Sequence, residues 1–344
     1  MLQQWEMFAG RQLLLAVLFL AGTTAFKTST PPRQRSAILI SWDGALREHV
    51  NACLKRAELP NLARLIDEGR MVDIEVSSHV TDTKAGHAEI LTGYGADTTG
   101  VYSNARFRPI PLGLSIFERL QQAFGKREFA TIMLTAKAMG LGPGAPRLPA
   151  EVESASADEP SEEDSKLARR VEKVRQEGEQ NVLGQPFYLV KGSLTAWAGD
   201  LPRGANGVGQ RALALIEKFG PKGRFFFFIH FADVDISGHK RGESSREYND
   251  ALISLDAWLG RILAQLEAQK LYDNTAVYVT SDHGFDVAST HHSRASHSFL
   301  ASSDPQLVKS GDQRDIAPTL LQTLGVDPSK LSPPLPGKSL RKEP

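Results

Sequence analysis

Three acidic residues of this 344-residue chain each follow a hydrophobic run, and two of them have a histidine close by. Asp43 follows SAILISW, Asp235 follows RFFFFIHFADV, and Asp282 follows TAVYVTS. His239 comes four residues after Asp235, and His283 comes directly after Asp282. Mixed carboxylate and imidazole ligands suit zinc, and suit manganese or iron less well. One such aspartate is more often a helix N-cap, but three with two histidines predict a metal site.

Thr83 is a candidate nucleophile, because its hydroxyl is expected near the N-terminus of a helix. It opens a helical run within TDTKAGHAEILTGYGADTTGVYSN, residues 81–104. The free N–H groups and the dipole of a helix N-terminus favour an anion there. A hydroxyl nucleophile needs activation, and a metal can supply it where no general base is adjacent. The alternative is that Thr83 is an ordinary helix cap.

Composition narrows the kinds of partner and of metal site. Forty basic residues balance forty acidic ones, so the chain has no nucleic-acid-binding signature and no net attraction to anionic membranes. Cys53 is the only cysteine, which excludes an intramolecular disulfide and a thiolate metal cluster. Histidine, aspartate, glutamate and hydroxyl groups remain as metal ligands.

The elements that must position these residues alternate between strands and helices. Continuous apolar runs begin at Ser36, Phe129, Arg224 and Thr275, and they are typical of strands buried on both faces. Residues 246–269 lie between two such runs and repeat their apolar positions at three and four, as a helix does. The pattern predicts an α/β fold with a doubly wound, mostly parallel sheet and helices on both faces. Right-handed crossovers would bring the strand ends to one edge of that sheet.

Two parts of the chain, the N-terminal segment and residues 145–185, do not follow this alternation of strands and helices. Residues 1–25 contain the short apolar run Leu13–Ala21 after Arg11, which predicts a signal peptide or an N-terminal anchor, and hence export to the periplasm or the exterior. Residues 26–36 would be a linker, and residues 37–344 a single catalytic domain. Residues 145–185 are predicted to be a flexible, acidic insertion, because residues 151–164 hold seven acidic residues and no basic ones.

The ordered set of motifs resembles the alkaline phosphatase superfamily. The set is Asp43, then Thr83-x-x-Gly-His87, then Asp235-x-x-Gly-His239, then Asp282-His283 and a later histidine. The branch it resembles most is the type I phosphodiesterase/nucleotide pyrophosphatase group, together with the alkaline phosphatases that use a threonine nucleophile. The resemblance implies an alkaline phosphatase-like domain, two Zn²⁺ ions or other divalent metals, and a small phosphate-ester substrate such as a nucleotide.

The same resemblance assigns roles to individual residues. Thr83 would be the nucleophile and would bind one zinc ion with Asp43, Asp282 and His283. Asp235 and His239 would bind the second zinc ion with a third histidine. Asn104 and Lys137 would bind the substrate phosphate.

Three histidines compete for the last ligand position, His291, His292 and His297. The family places this ligand about six residues before a sheet strand, and SFLASSDP from Ser298 is predicted to be that strand. Counting back six residues favours His292. His297 lies beside the strand and is the second choice, while His291 would point the other way in an extended segment.

The resemblance also implies a reaction, hydrolysis of phosphate esters through a phosphothreonine. Phosphodiester or nucleotide pyrophosphate substrates are favoured, because Met139 stands where some monoesterases have an arginine. Asn104 and Lys137 resemble the monoesterase arrangement, so an alkaline phosphatase is the alternative. A sulfatase is disfavoured, because its signature is absent and a threonine cannot become formylglycine. A non-catalytic binding module would have lost ligands, and here every position is filled. Oligomeric state and the role of residues 151–164 stay open, and membrane contact would depend on whether the N-terminal segment is retained.

Overall fold

The computed structural model describes residues 35–143, 184–199, 201 and 204–342. Strands of these residues form one eight-stranded sheet in the order β4-β3-β5-β1-β6-β7-β2-β8. In chain order the strands are β1 Ser36–Trp42, β2 Arg70–Glu75, β3 Phe129–Thr135, β4 Ala196–Ala198, β5 Arg224–Phe231, β6 Thr275–Thr280, β7 His297–Ser302 and β8 Gly311–Asp312.

The sheet is mostly parallel, as the sequence predicts. β1 pairs in parallel with β5 and β6, and β3 pairs in parallel with β4 and β5. β7 runs antiparallel to both of its neighbours, β6 and β2, and β2 is parallel to β8. The prediction of a doubly wound, mostly parallel α/β fold is confirmed, and the reversed strand β7 is the departure that the sequence did not indicate.

Helices cover both faces of this sheet. Alternate residues of β1 contribute to different cores, Ile38 and Ile40 to one and Ala37 and Leu39 to the other. This division follows from the alternation of side chains along a strand. The helices of the described residues are α1 Arg47–Lys55, α2 Pro60–Glu68, α3 Thr83–Thr92, α4 Ala96–Thr99, α5 Ile116–Glu128 with a break at Gly125, α6 Ala138–Leu141, α7 Ala205–Phe219, α8 Asp233–Arg241, α9 Arg246–Ala268 and α10 Ile316–Thr323.

The apolar faces of the helices complete both cores. One core contains the apolar faces of α1, α2, α7 and α9, and the other contains those of α3, α5 and α10. The four apolar strands at the middle of the sheet and the long helix α9 were predicted correctly. β2, β4 and β8 were not predicted, because they are short or carry exposed polar residues at alternate positions.

The predicted leader, residues 26–34 of the predicted linker and residues 145–183 of the predicted acidic insertion lie outside the described residues. The last predicted linker residue, Ser36, is the first residue of β1. Among the helices that are described, none is both long enough and apolar enough to cross a membrane.

The turn after β1 is held by the α9 tyrosine Tyr248, which is fully buried. Its hydroxyl donates to the carbonyl of Gly44 at 2.6 Å and accepts from the N–H of Leu46 at 2.9 Å. Gly44 takes a left-handed conformation with φ of 76°, and an added Cβ there would lie 2.9 Å from Cα of Asp235. The turn therefore depends on a glycine and on one phenolic hydroxyl.

Tyr248→Phe removes that hydroxyl and leaves a buried N–H and a buried carbonyl without this partner. We expect the free energy of unfolding to fall by about 2 kcal/mol, measured by urea denaturation of metal-free protein. Tyr102→Phe is the matched control, because the Tyr102 hydroxyl bonds to Asp97 at an exposed site, and it should change stability by less than about 0.5 kcal/mol. Equal effects of the two variants would contradict this role for Tyr248.

Candidate metal and phosphate site

The candidate site lies at the carboxyl ends of β5, β1 and β6, which are adjacent at the middle of the sheet. Asp43 directly follows β1, and Asp282 lies two residues after β6. Asp235 is the third residue of α8 rather than the end of a strand, and its N–H donates to the carbonyl of Asp43 at 3.0 Å. Ligand crevices of open parallel sheets lie at this edge.

Asp43, Asp282 and His283 form the first cluster, which we call the inner group. All three are completely buried, and their ligand atoms lie within 4.8 Å of one another. Nε2 of His283 lies 3.5 Å from Oδ1 of Asp43 and 3.4 Å from Oδ2 of Asp282. The other ring nitrogen, Nδ1, donates to the carbonyl of Gly284 at 2.9 Å. This bond leaves the lone pair of Nε2 directed at the two carboxylates.

Asp235, His239 and His292 form the second cluster, which we call the outer group. Asp235 and His239 are four residues apart on α8 and therefore share one face of that helix. Nδ1 of His239 donates to the carbonyl of Thr290 at 2.9 Å, and Nδ1 of His292 donates to that of Thr81 at 2.6 Å. Both Nε2 atoms consequently face Oδ1 of Asp235, at 3.3 and 3.9 Å.

The two imidazoles of the outer group are close enough to require a positive charge between them. Their Nε2 atoms are 3.1 Å apart, and the Nδ1 hydrogens are used elsewhere. Two lone pairs at this distance repel unless a proton or a metal ion lies between them. The carboxylate of Asp235 beside it raises the pKa of His239, whereas burial and the neighbouring His283 lower the pKa of His292.

The unsatisfied atoms of the described residues test whether a metal fits. Oδ1 of Asp43, Oδ1 of Asp235, Oδ2 of Asp282 and Nε2 of His283 are all buried without a hydrogen-bond partner. A buried polar atom without a partner costs about 1–3 kcal/mol, and more when the group is charged. These atoms face one another within the inner and outer groups, so divalent cations would satisfy them. The residues present therefore fit a metal in each group.

Lys137 shows that the two groups and Thr83 converge on one point. Its ammonium nitrogen lies 2.7 Å from Oδ2 of Asp43, 2.7 Å from Oδ2 of Asp235 and 3.1 Å from the hydroxyl oxygen of Thr83. Burial opposes the charged form of Lys137, but Asp43 and Asp235 outweigh it and raise the pKa. Burial likewise opposes ionisation of Asp43, but Lys137 and His230 outweigh it and lower the pKa of that carboxyl.

Thr83 is the first residue of α3, and it is buried. Its position in the first turn places the hydroxyl where backbone N–H groups have no partner within the helix. Asn104 lies beside the same turn, where its side-chain oxygen accepts from the N–H of Lys84 at 3.0 Å and its own N–H donates to Asp82 at 2.8 Å. The helix N-terminus, Asn104 and Lys137 together offer donors to an anion.

The three histidines that compete for the last ligand position are separated clearly in space. His292 lies in the outer group. His297 opens β7 on the surface, where its Nδ1 lies 2.6 Å from Glu48. His291 is exposed, and its carbonyl accepts from the N–H of Asp286 at 3.0 Å. Of the three, His292 alone contacts the other candidate ligands.

The loop that carries His292 is fixed at several points along its length. The carboxylate of Asp286 accepts from the N–H of Arg294 at 2.9 Å, and the buried Glu243 accepts from the N–H of Ala288 at 2.5 Å. The hydroxyl of Thr81 donates to the carbonyl of His292. These bonds hold His292 in a defined position, although Val287 in the same loop is 84% exposed.

Sequence reasoning assigned no role to two buried histidines that support these groups from below, although His87 is part of the motif set. His230 on β5 lies 2.8 Å from Asp43, and the buried His87 of α3 lies 3.4 Å from Asp282. His87 also bonds to the carbonyl of Thr83 at 2.7 Å and to the hydroxyl of Ser41 at 2.8 Å, and burial lowers its pKa to about 4. The signal for His230 was present, since it is the one imidazole within the apolar run RFFFFIHF.

Comparison with known proteins places the chain in a family. The family model for type I phosphodiesterases and nucleotide pyrophosphatases matches residues 37–330. Bis(5'-adenosyl)-triphosphatase ENPP4 of Homo sapiens is 23% identical over 278 residues, which are 79% of this chain and 52% of that protein. Ectonucleotide pyrophosphatase/phosphodiesterase family member 7 of Mus musculus is 23% identical over 283 residues, 80% of this chain and 56% of that protein. The chain thus spans about half the length of the curated relatives it matches.

Solved structures show the same fold. The alkaline phosphatase from the Antarctic bacterium TAB5 aligns with 86% of this chain and 100% of its own, with a TM-score of 0.54 and 15% sequence identity. The fold is therefore that of the alkaline phosphatase superfamily, as the motifs predict. Because the family model covers most of the sequence, the chain belongs to the type I phosphodiesterase/nucleotide pyrophosphatase family.

Proposed function

We propose that this protein is a metal-dependent phosphoesterase that hydrolyses phosphodiester or nucleotide pyrophosphate bonds through a phosphothreonine on Thr83. One observation carries the proposal: a single ammonium group contacts Thr83 and a carboxylate from each of the two clusters. A hydroxyl nucleophile and two candidate metal groups therefore surround one position. Family membership supports the reaction type, and the names of the matched relatives support a nucleotide-like substrate.

The proposed reaction has two displacements at phosphorus. The hydroxyl oxygen of Thr83 forms a bond to phosphorus and releases its proton to water while the bond to the leaving oxygen breaks, and that oxygen receives a proton from water in exchange. A water oxygen then attacks phosphorus, the bond to Thr83 breaks, and the hydroxyl is restored. Lys137 would hold the charged phosphoryl oxygens near Thr83, and Asn104 would orient them at the start of α3.

The inner and outer groups would hold two Zn²⁺ ions, or other divalent metals. The inner group would use Asp43, Asp282, His283 and the Thr83 oxygen, and the outer group Asp235, His239 and His292. When bound, such a pair lowers the pKa of the attacking oxygen and stabilises charge on the attacking and leaving oxygens. Several of the oxygen and nitrogen atoms that would bind the metals are buried and have no hydrogen-bond partner among the described residues.

An alkaline phosphatase acting on monoesters is the second candidate. The ammonium of Lys137 within the site favours it, since a monoester carries more negative charge than a diester. A non-catalytic binding module is a weaker alternative, because Thr83 and every candidate ligand are present and brought together.

Export of the protein is also a proposal. It is supported by the apolar run of residues 13–21 after Arg11, which has the length of a signal-peptide core.

Thr83→Ala should lower turnover roughly 10³-fold or more, because no other hydroxyl replaces the nucleophile. Zinc content measured by mass spectrometry should stay close to that of the wild type. Thr83→Ser is the matched control, since it keeps a hydroxyl at the same point, and it should retain turnover within about tenfold. Turnover by Thr83→Ala at the wild-type rate would refute the nucleophile assignment.

His292→Ala should lose about one zinc ion per chain, because two protein ligands remain in the outer group. His291→Ala and His297→Ala are matched controls from the same segment and should keep the wild-type zinc content. The measurement is metal analysis of dialysed protein. Loss of zinc in the His297 variant, with normal content in the His292 variant, would transfer the ligand role to His297.

Substrate class is tested with zinc-loaded protein and two chromogenic esters. We expect a higher kcat/KM for bis-p-nitrophenyl phosphate than for p-nitrophenyl phosphate, and loss of both activities after treatment with a chelator. A preference for the monoester would favour the alkaline phosphatase alternative. An absence of activity on either ester, and on nucleoside triphosphates, would favour the binding module.

A further inference from the structure

A row of polar residues crosses the sheet directly beneath the inner group. Thr135 on β3 and Ser41 on β1 are the lateral partners of His230 on β5. All three are completely buried. Two residues earlier, the corresponding row is apolar, with Met133 and Phe228 at these positions. Burial of polar groups without hydrogen-bond partners costs free energy. A completely buried polar row at the edge of the sheet that carries the site is therefore expected to be hydrogen-bonded throughout.

His230 spans the space between Thr135 and Asp43. Its Nε2 lies 2.8 Å from Oδ2 of Asp43, and its Nδ1 lies 3.2 Å from the hydroxyl oxygen of Thr135. The ionised Asp43 can only accept, so Nε2 carries the hydrogen and donates. The Thr135 oxygen accepts from the backbone N–H of Lys137 at 3.1 Å and can give its own hydrogen to Nδ1. Every hydrogen-bond donor in this series of bonds thus has an acceptor.

The chain of bonds selects which oxygen of Asp43 faces the inner group. Oδ2 is occupied by His230 and by the ammonium of Lys137. Oδ1 is buried without a hydrogen-bond partner in the part of the chain that is described, and it lies 3.5 Å from Nε2 of His283. Without the bond from His230, the carboxylate could rotate about its Cβ–Cγ bond, because that torsion has a broad energy profile.

The ring of His230 is held in place as well as bonded. His87 packs against it edge-on, with ring centroids 4.9 Å apart, and Phe228 lies 6.5 Å away on the same face of β5. His87 is itself fixed at both nitrogens. The imidazole is therefore a rigid support rather than a mobile side chain.

We infer that His230 is a positioning residue that fixes the orientation of Asp43, and through Thr135 also the backbone of Lys137, for cation binding in the inner group. This inference rests on the proposed function, since it assigns a role at the same metal site. It joins Asp43 and Lys137 in one closed network, because Lys137 reaches Asp43 through its ammonium and reaches it again through Thr135 and His230.

Two amide variants separate the two bonds of the ring. His230→Gln places an amide N–H near the position of Nε2 and can still donate to Asp43. His230→Asn places its amide near Nδ1 and can reach Thr135 but not Asp43. Partners that orient a metal ligand commonly contribute 10–100-fold to metal affinity. We expect His230→Asn to weaken the first zinc-binding step by about 10–100-fold, and His230→Gln to recover most of that loss.

The affinity is measured on the purified full chain by competition with a chromophoric zinc chelator, so the readout does not depend on turnover. Phe226→Leu is the matched control, because Phe226 lies on the same strand and face as His230, is completely buried and is four residues away. It should lower the melting temperature of the metal-free protein and leave zinc affinity unchanged. Thr135→Val removes the hydroxyl without altering the histidine and should weaken zinc binding several-fold, whereas Thr135→Ser should not.

Wild-type zinc affinity in both His230→Asn and Thr135→Val would overturn the positioning role. An equal loss of affinity in Phe226→Leu would overturn it too, since packing alone would then explain the effect. Wild-type protein that binds no zinc would instead contradict the proposed metal site, and the two failures are therefore distinguishable.

Discussion

The structure depends on the burial of three carboxylates, Asp43, Asp235 and Asp282, around one point at the edge of the sheet. All three are at most 4% exposed. Buried carboxylates are unfavourable unless positive charge and hydrogen bonds surround them. Lys137 supplies one charge, and the unsatisfied atoms of the two groups indicate where further cations would bind. The same charge that opposes folding of the metal-free chain is what would hold metals and a phosphoryl group.

Residues from several elements around the sheet hold this concentration of charge in place. The turn after β1 is tied to α9 by Tyr248, and the loop before β7 is tied to Thr81, Glu243 and Asp286. Beneath the carboxylates lie two buried histidines, His87 in the middle of α3 and His230 near the end of the hydrophobic strand β5. Apart from His283, which bonds to the adjacent Gly284, each ligand is thus oriented by a neighbour on another element, which limits the reorganisation needed when a cation binds.

Much of the site could be predicted from the sequence because its residues occur in short local motifs. Apolar strands that lead into aspartates predicted the central strands and the edge at which the site lies. The strand β7 was predicted, but its reversed direction and the supporting residues His230 and Thr135 were not. Strand direction is set by pairing between distant segments, and a single histidine within an apolar run has no local signal of its partner.

The sequence by itself therefore determined the fold class, the family motifs and the kinds of group available, since these follow from periodicity and residue type. Only the tertiary structure decided which histidine joins Asp235 and His239, because His291, His292 and His297 differ in the direction in which an anchored loop turns them. It also decided that Lys137 reaches both clusters and Thr83 at once. Convergence of this kind depends on distances between residues far apart in the chain, and no local pattern encodes them.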